Sequence, residues 1–188
     1  MGGFFGAISR KNCIYDVFFG TDYHSHLGTR RAGMAFYDKN RGFQRQIHNI
    51  ENTPFRTKFD SDLPKFSGNA GIGSISDTDP QPLLVRSHLG MFAISTVGII
   101  NNAEELVSSA FSGPGHQFMA MSSGKVNTTE LTAALINQRG SLVEGIRHAQ
   151  QVIDGSCTIL LLMKDCIIAA RRRDRRIFSR SGLSAAAF

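Results

Sequence analysis

The sequence predicts an α+β fold in which helices pack on antiparallel sheet. Three observations predict it. Short segments rich in β-branched and aromatic residues occupy the chain up to residue 100, capped helical segments fill the stretch from 101 to 153, and two apolar strands follow. Between those last two strands lies Lys164-Asp165, a pair suited to a hairpin turn, so at least part of the sheet is antiparallel.

The predicted strands are Gly3 to Ser9, Ala32 to Tyr37, Gln44 to Ile50, Ala70 to Ile75, Gly90 to Ile100, Cys157 to Met163 and Cys166 to Ala170. Each is bounded by Gly, Asn, Asp or Pro. A first helix is expected from Tyr15 to His26, with an aromatic face of Tyr15, Phe18, Phe19 and Tyr23. Three later helix starts share a capping side chain followed three residues on by Glu: Asn101 with Glu104, Asn127 with Glu130, and Ser141 with Glu144. Apolar residues at helical spacing continue two of them, Leu131, Ala134 and Leu135 in one, Val143, Ile146, Ala149 and Ile153 in the other. The polar stretch Thr53 to Gly68 holds two prolines without a period and predicts a long loop with a helical turn. SGPGHQ at 112–117 predicts another loop.

A chain of 188 residues, 41% of them hydrophobic, builds one well-buried core, and one domain is expected. The longest strongly apolar run, Cys157 to Met163, is far short of a membrane span. Gly6 stands where a myristoylation signal wants Ser or Thr. The three cysteines, Cys13, Cys157 and Cys166, lack metal-ligand spacing and leave an odd thiol, which suits a reducing compartment. A soluble, cytoplasmic protein without membrane, metal or cofactor is expected. The net charge of +6 sits in the tail: residues 171–188 hold six Arg and one Asp, leaving 15 basic against 14 acidic side chains over the other 170. A near-neutral body with no aromatic-interleaved basic face argues against nucleic acid as a partner.

The second residue carries the chemical question. Once the initiator Met is trimmed, the chain would start at Gly2 and enter an apolar strand, GFFGAIS. A terminal amine held by a buried strand can act as general base for an adjacent nucleophile. Gly2 supplies the amine and no nucleophile.

Six segments in order, GGFFGAIS, SHLGTRRAGMAFYD, GNAGIGSISDTDPQPLLV, GMFAISTVGIINNAEEL, NTTELTAALI and DGSCTILLLMKDCIIAAR, resemble the class II glutamine amidotransferase domain. The likeness is greatest to the glutaminase half of amidophosphoribosyltransferase and covers about residues 2 to 171. The resemblance implies the N-terminal nucleophile hydrolase fold, a four-layer αββα sandwich with two antiparallel sheets. It also implies glutamine hydrolysis by an N-terminal cysteine whose own amine is the base.

Carried over position by position, the resemblance finds that machinery altered. The nucleophile position is Gly2. The Arg that would grip the glutamine carboxylate is Ser76. The Asn of the oxyanion hole is Val97, which leaves only the backbone of Gly98, and one such donor is worth about 3 kcal/mol of barrier. The Asp for the ammonium group is Thr128, and the Arg of the HRG segment is Leu27. Five polar positions differ together while the surrounding scaffold is kept, so loss of glutamine hydrolysis is expected and no catalytic residue is assigned. Cys13 should lie at the far end of the first strand, too far to substitute. His24 and His26 lack further metal-binding partners and read as structural or solvated.

After Arg171 the family continues through two more strands into a phosphoribosyltransferase domain; this chain reads RRDRRIFSRSGLSAAAF. Residues 171–188 are expected to be a basic, irregular tail arising from frameshift or truncation. The sandwich would then be incomplete at its C-terminus, with an unpaired edge that favours self-association into homo-oligomers. Three functions stay open: an amidotransferase domain without glutaminase chemistry, paired with an absent transferase domain; a same-fold hydrolase acting on another substrate through the Gly2 amine, Ser76, Asp77 and Thr128; and a non-catalytic ligand-binding or regulatory module.

Overall fold

The structure is a computed structural model that describes residues 2–111, 121–122, 125–171, 176–180 and 184–187. Its strands are β1 (Gly2–Ile8), β2 (Arg31–Asp38), β3 (Gly42–Asn49), β4 (Ala70–Ser76), β5 (Leu83–Ser87), β6 (Gly90–Ile100), β7 (Met121–Ser122), β8 (Lys125–Val126), β9 (Gly155–Leu162), β10 (Ile167–Arg171), β11 (Arg176–Arg180) and β12 (Ser184–Ala187). Its helices are α1 (Ile14–Tyr23), α2 (Phe55–Phe59), α3 (Ala103–Phe111), α4 (Thr128–Ile136) and α5 (Leu142–Val152).

Two antiparallel sheets face each other, ordered β12-β1-β4-β2-β3 and β11-β10-β9-β6-β5. Strand alternation divides the apolar residues into three layers of core. Phe4, Ala35, Ala70 and Ile72 of the first sheet meet Ala93, Leu160, Leu162 and Ala169 of the second. On the outer face of the first sheet, Met34, Phe36 and Ile75 pack with Val17 and Phe18 of α1 and Phe55 and Phe59 of α2. Behind the second sheet, Phe92, Ile94, Ile159 and Leu161 pack with Leu131 and Leu135 of α4 and Ile146 and Ala149 of α5. The result is the expected α+β, four-layer αββα sandwich.

Helix starts follow the capping chemistry at two of the three expected places. Asn127 accepts hydrogen bonds from the Thr129 and Glu130 amides, and Ser141 accepts one from the Glu144 amide. At the third, the Asn102 side chain reaches the turn before β9, donating to Val152 O at 2.9 Å and accepting from Asp154 N at 2.8 Å. The Lys164-Asp165 turn closes as expected, with Met163 N donating to Cys166 O at 2.8 Å.

Four expectations change. The first helix stops at Tyr23, and Ser25–Leu27 forms a separate 3-10 turn. Its aromatic face is not a core face: Phe18 is buried, while Tyr15, Phe19 and Tyr23 are 63%, 53% and 76% exposed. Buried Ile14, Val17 and Thr21 share Phe18's side of the helix, which is why the core takes that stripe. Within 53–68, two short helical pieces form, α2 and a 3-10 turn at Leu63–Lys65, because Phe55, Phe59 and Leu63 bury beneath the sheet. Strand β5 escaped the sequence reading because its burial has no strict alternation. In the tail, expected to be irregular, the backbone forms two strands: β11 pairs with β10, and β12 pairs with β1. The unpaired edge expected near Cys157 to Ala170 is therefore covered, since β11 pairs with β10. The loop predicted at 112–117 lies outside the described residues.

Candidate functional site

One end of the first sheet gathers the positions of interest. Gly2 opens β1, Ser76 closes β4, and the two are register partners. Both lie on the inter-sheet face, since Gly2 shares the alternation of Phe4, and Ser76 that of Ala70 and Ile72. A Cβ on Gly2 would sit 2.6 Å from the Ile75 carbonyl oxygen, so the site has no room for a side chain without a backbone shift.

From Ser76 the chain turns across the mouth of the sandwich. The Ser76 hydroxyl accepts from the Thr78 amide at 3.1 Å and the Asp79 amide at 3.2 Å, which shapes the turn. Buried Asp79 then accepts from the Thr128 amide at 3.1 Å and the Thr128 hydroxyl at 2.8 Å, at the N-terminus of α4. A carboxylate there satisfies an orphan amide and meets the positive end of the helix dipole. Ser76 and Thr128 are thus joined through Asp79. Asp77, on the same turn, accepts from the Thr29 amide at 2.7 Å.

The next side chain locks the turn to the second sheet. Gln81 accepts from Thr96 N at 2.8 Å and donates to Thr96 O at 3.0 Å, while the Thr129 hydroxyl donates to its Oε1 at 3.1 Å. The Thr96 and Thr129 hydroxyls meet at 2.7 Å. Gln81, Thr96 and Thr129 are all buried, so this network is a satisfied polar core that fixes α4 against β6. Gly33 on β2 lies directly under the turn, where a Cβ would collide with the Gln81 carbonyl oxygen.

Val97 follows Thr96 and packs between the sheets. Gly98 takes φ +152°, a backbone shape that favours glycine. Deeper on the same inter-sheet face, the buried hydroxyls of Ser74 and Ser95 have no hydrogen-bond partner among the described residues. Leu27 lies elsewhere, on the outer face, where it and His24 back Gly3. Burial, with a smaller contribution from His26, lowers the His24 pKa. Among the described residues no cluster of three metal-ligating side chains exists.

The three thiols are separated from this end. The Cys13 amide donates to Gly68 O, beyond the Ile8–Ala70 end of the β1–β4 ladder, six residues from Gly2 or roughly 20 Å along the strand. Burial pushes its pKa up to about 12. Cys157 pairs with Gly98 but faces the α4 side, against Thr132, and burial raises it to about 11. Cys166 follows the turn at the opposite end of β9. A cavity of about 410 Å³ lies at the far end of the first sheet, lined by Arg10, Asp38, Lys39 and Asn69 among others. None of the site positions lines it.

Sequence reasoning missed Asp79, Gln81, Thr96 and Thr129. Only Asn127 and Glu130 carried a local signal, the helix cap. Gln81 and Thr96 become partners because the turn after β4 crosses to β6, which no spacing reveals.

No family model matches the chain. In sequence it is 26% identical over 183 residues to the amidophosphoribosyltransferase of Methanocaldococcus jannaschii, covering 91% of this chain and 37% of that protein. In structure it superposes with a TM-score of 0.76 on the glutamine phosphoribosylpyrophosphate amidotransferase of B. subtilis, at 23% identity over 90% of this chain and 37% of that one. The same values relate it to a structure described as the allosteric regulatory enzyme of purine biosynthesis. A predicted glutamine amidotransferase from Pseudomonas aeruginosa is more distant, with a TM-score of 0.50 and 11% identity over 90% of this chain and 72% of that one. In sequence and in fold the chain resembles the glutaminase half of amidophosphoribosyltransferase, a class II glutamine amidotransferase domain, and it spans 37% of those relatives' length.

Proposed function

We propose that this chain is an amidophosphoribosyltransferase-like glutamine amidotransferase domain of purine biosynthesis that does not hydrolyse glutamine. The observation that carries the reading is the Gly2 position. It stands at the head of the strand where the resemblance puts the nucleophile, and its Cβ direction is closed by the Ile75 carbonyl. The thiols offer no substitute, since Cys13 lies past the far end of β1 and Cys157 faces the other side of its sheet. At the oxyanion position Val97 has no donor side chain, and Thr128 is held by Asp79.

The relatives' greater length supports a phosphoribosyltransferase domain as the partner that the chain would serve. Three free cysteines support a reducing, cytoplasmic setting, and no helix among the described residues is long and apolar enough to cross a membrane. Self-association through an exposed edge loses support where β11 and β12 cap the sheets.

The direct test is ammonia release from L-glutamine by the purified chain, with the N-terminal residue established by mass spectrometry. Release at the rate of the uncatalysed control is expected. Enzymatic turnover would overturn the reading, and its abolition by acetylating the terminal amine would point to the Gly2 amine as base.

A further inference from the structure

The cavity of about 410 Å³ at the far end of the first sheet is walled by cations that the proposed function leaves unused. Three turns form it. Arg10, Lys11 and Asn12 come from the connection between β1 and α1, Asp38, Lys39 and Asn40 from the turn between β2 and β3, and residues 67–69 from the approach to β4. The walls are fixed to one another by hydrogen bonds. Ser9 N donates to Asn69 O at 2.8 Å and Cys13 N to Gly68 O at 3.0 Å, which ties the first turn to the third. The Gln44 side chain donates to Ser67 O at 2.8 Å and accepts from Ser67 N at 3.1 Å, and the Arg41 guanidinium donates to Lys65 O at 2.8 Å, which ties the second to the third. A cavity held in this way has little freedom to lose on binding a ligand.

The charge of the cavity is one-sided. Among the described residues, Arg10, Lys11 and Lys39 have no carboxylate within 4.0 Å, and Asp38 is the one acid on the wall. Asp38 Oδ1 is engaged in its own turn, accepting from the Asn40 amide at 2.9 Å and the Arg41 amide at 3.0 Å. Three positive charges thus stand against one negative, and a concave surface of one sign concentrates counter-ions. That excess matches a phosphate monoester, which carries about −1.5 to −2 charges near pH 7 and presents three acceptor oxygens. The rest of the lining is polar and neutral. Asn12 uses its oxygen on the Ile14 amide at 2.9 Å, which leaves its NH₂ group as a donor, and Ser67 and Asn69 add a hydroxyl and an amide. Such groups suit a hydroxylated body rather than an apolar one. A nucleic-acid strand would call for aromatic stacking platforms, and none of the described residues lining the cavity is aromatic.

We propose that this cavity binds a small phosphate monoester with a hydroxylated body, its phosphate received by Arg10, Lys11 and Lys39. The site is separate from the Gly2 end. It lies past the Ile8–Ala70 end of the β1–β4 ladder, whereas Gly2 and Ser76 stand at the other.

The test is isothermal titration of the full chain with glycerol phosphate, with glycerol as the uncharged control. Wild type should bind glycerol phosphate and show no binding of glycerol. Arg10→Gln, Lys11→Gln and Lys39→Gln should each weaken binding about two- to fivefold, the range for exposed ion pairs, and the triple variant about tenfold or more. All three side chains are exposed, so the variants should keep the wild-type Tm. A charge-matched triple variant, Arg86→Gln with Arg147→Gln and Lys164→Gln, removes three exposed cations that do not line the cavity and should bind as wild type does. Equal weakening in the two triple variants would overturn the site in favour of diffuse attraction to a basic protein. No binding by wild type, or equal binding of glycerol, would overturn it outright. Retention on phosphatidic acid vesicles without binding of free glycerol phosphate would overturn it as well, because the ligand would then be a lipid surface and not a small molecule.

Discussion

Placing a thiol at position 2 is the sharpest perturbation of the proposed site, and the structure says how it should fail. In Gly2→Cys the new Cβ lies 2.6 Å from the Ile75 carbonyl oxygen, an overlap that only a shift of the β1–β4 ladder relieves. Overpacking of this kind costs about 1–3 kcal/mol. For a domain of this size that lowers Tm by about 2–12 °C, at roughly 2–4 °C per kcal/mol. The chemistry stays short of one donor even if the thiol is well placed. Val97 supplies no side-chain donor, and one oxyanion donor is worth about 3 kcal/mol, or about 10²–10³ in rate. Gly2→Cys should therefore release ammonia at least 10²-fold below the ordinary enzyme turnover of about 10 s⁻¹. Adding Val97→Asn should help only if the ladder has shifted to aim the thiol. The assay is glutamine-dependent ammonia release by enzyme-coupled detection, with mass spectrometry to establish removal of the initiator Met. Turnover by Gly2→Cys alone within tenfold of that ordinary value would refute the reasoning about both the Ile75 carbonyl and Val97.

Asp79→Ala removes a buried acceptor from the Thr128 amide and hydroxyl, and should lower stability by about 2–4 kcal/mol in denaturant unfolding; a loss under 0.5 kcal/mol would show that the helix terminus does not depend on it. Gly33→Ala should push the Gln81 turn off β2 and cost about 1–3 kcal/mol, read as a lower Tm. Asp62 titrates low: burial alone would raise its pKa, but hydrogen bonds from Lys65 at 2.7 Å and His48 at 2.6 Å outweigh it. Because its folded pKa lies below the unfolded value of about 3.9, its contribution is present above that value and disappears as pH falls through the folded pKa. Asp62→Asn should therefore flatten the acid limb of the stability–pH curve. Iodoacetamide at pH 8 should modify half-exposed Cys166 first and leave Cys13 and Cys157 unlabelled in the folded protein, as peptide mapping would show.

The sequence by itself determined the order of strands and helices, because alternation and capping are local. Seven strands were legible within a residue or two at each end, and so were the caps at Asn127 and Ser141, where a side chain reaches amides only two or three positions away. The glycine at position 2 was legible too, since residue identity needs no coordinates. Tertiary structure decided which polar residues share a site. Asp79 meets Thr128 across 49 positions, Thr129 meets Gln81 across 48, and Thr96 meets Thr129 across 33, partnerships that arise only when α4 packs on the second sheet and the turn after β4 crosses to it. It also set Arg31, an ordinary strand-end arginine in the sequence, opposite Ser76 in the ladder. The tail shows the same division: its composition carries no strand period, yet the open backbone groups of β10 and β1 are where β11 and β12 pair. Side-chain pattern is written along the chain, whereas an edge strand's unmet hydrogen bonds exist only once the sheet has formed.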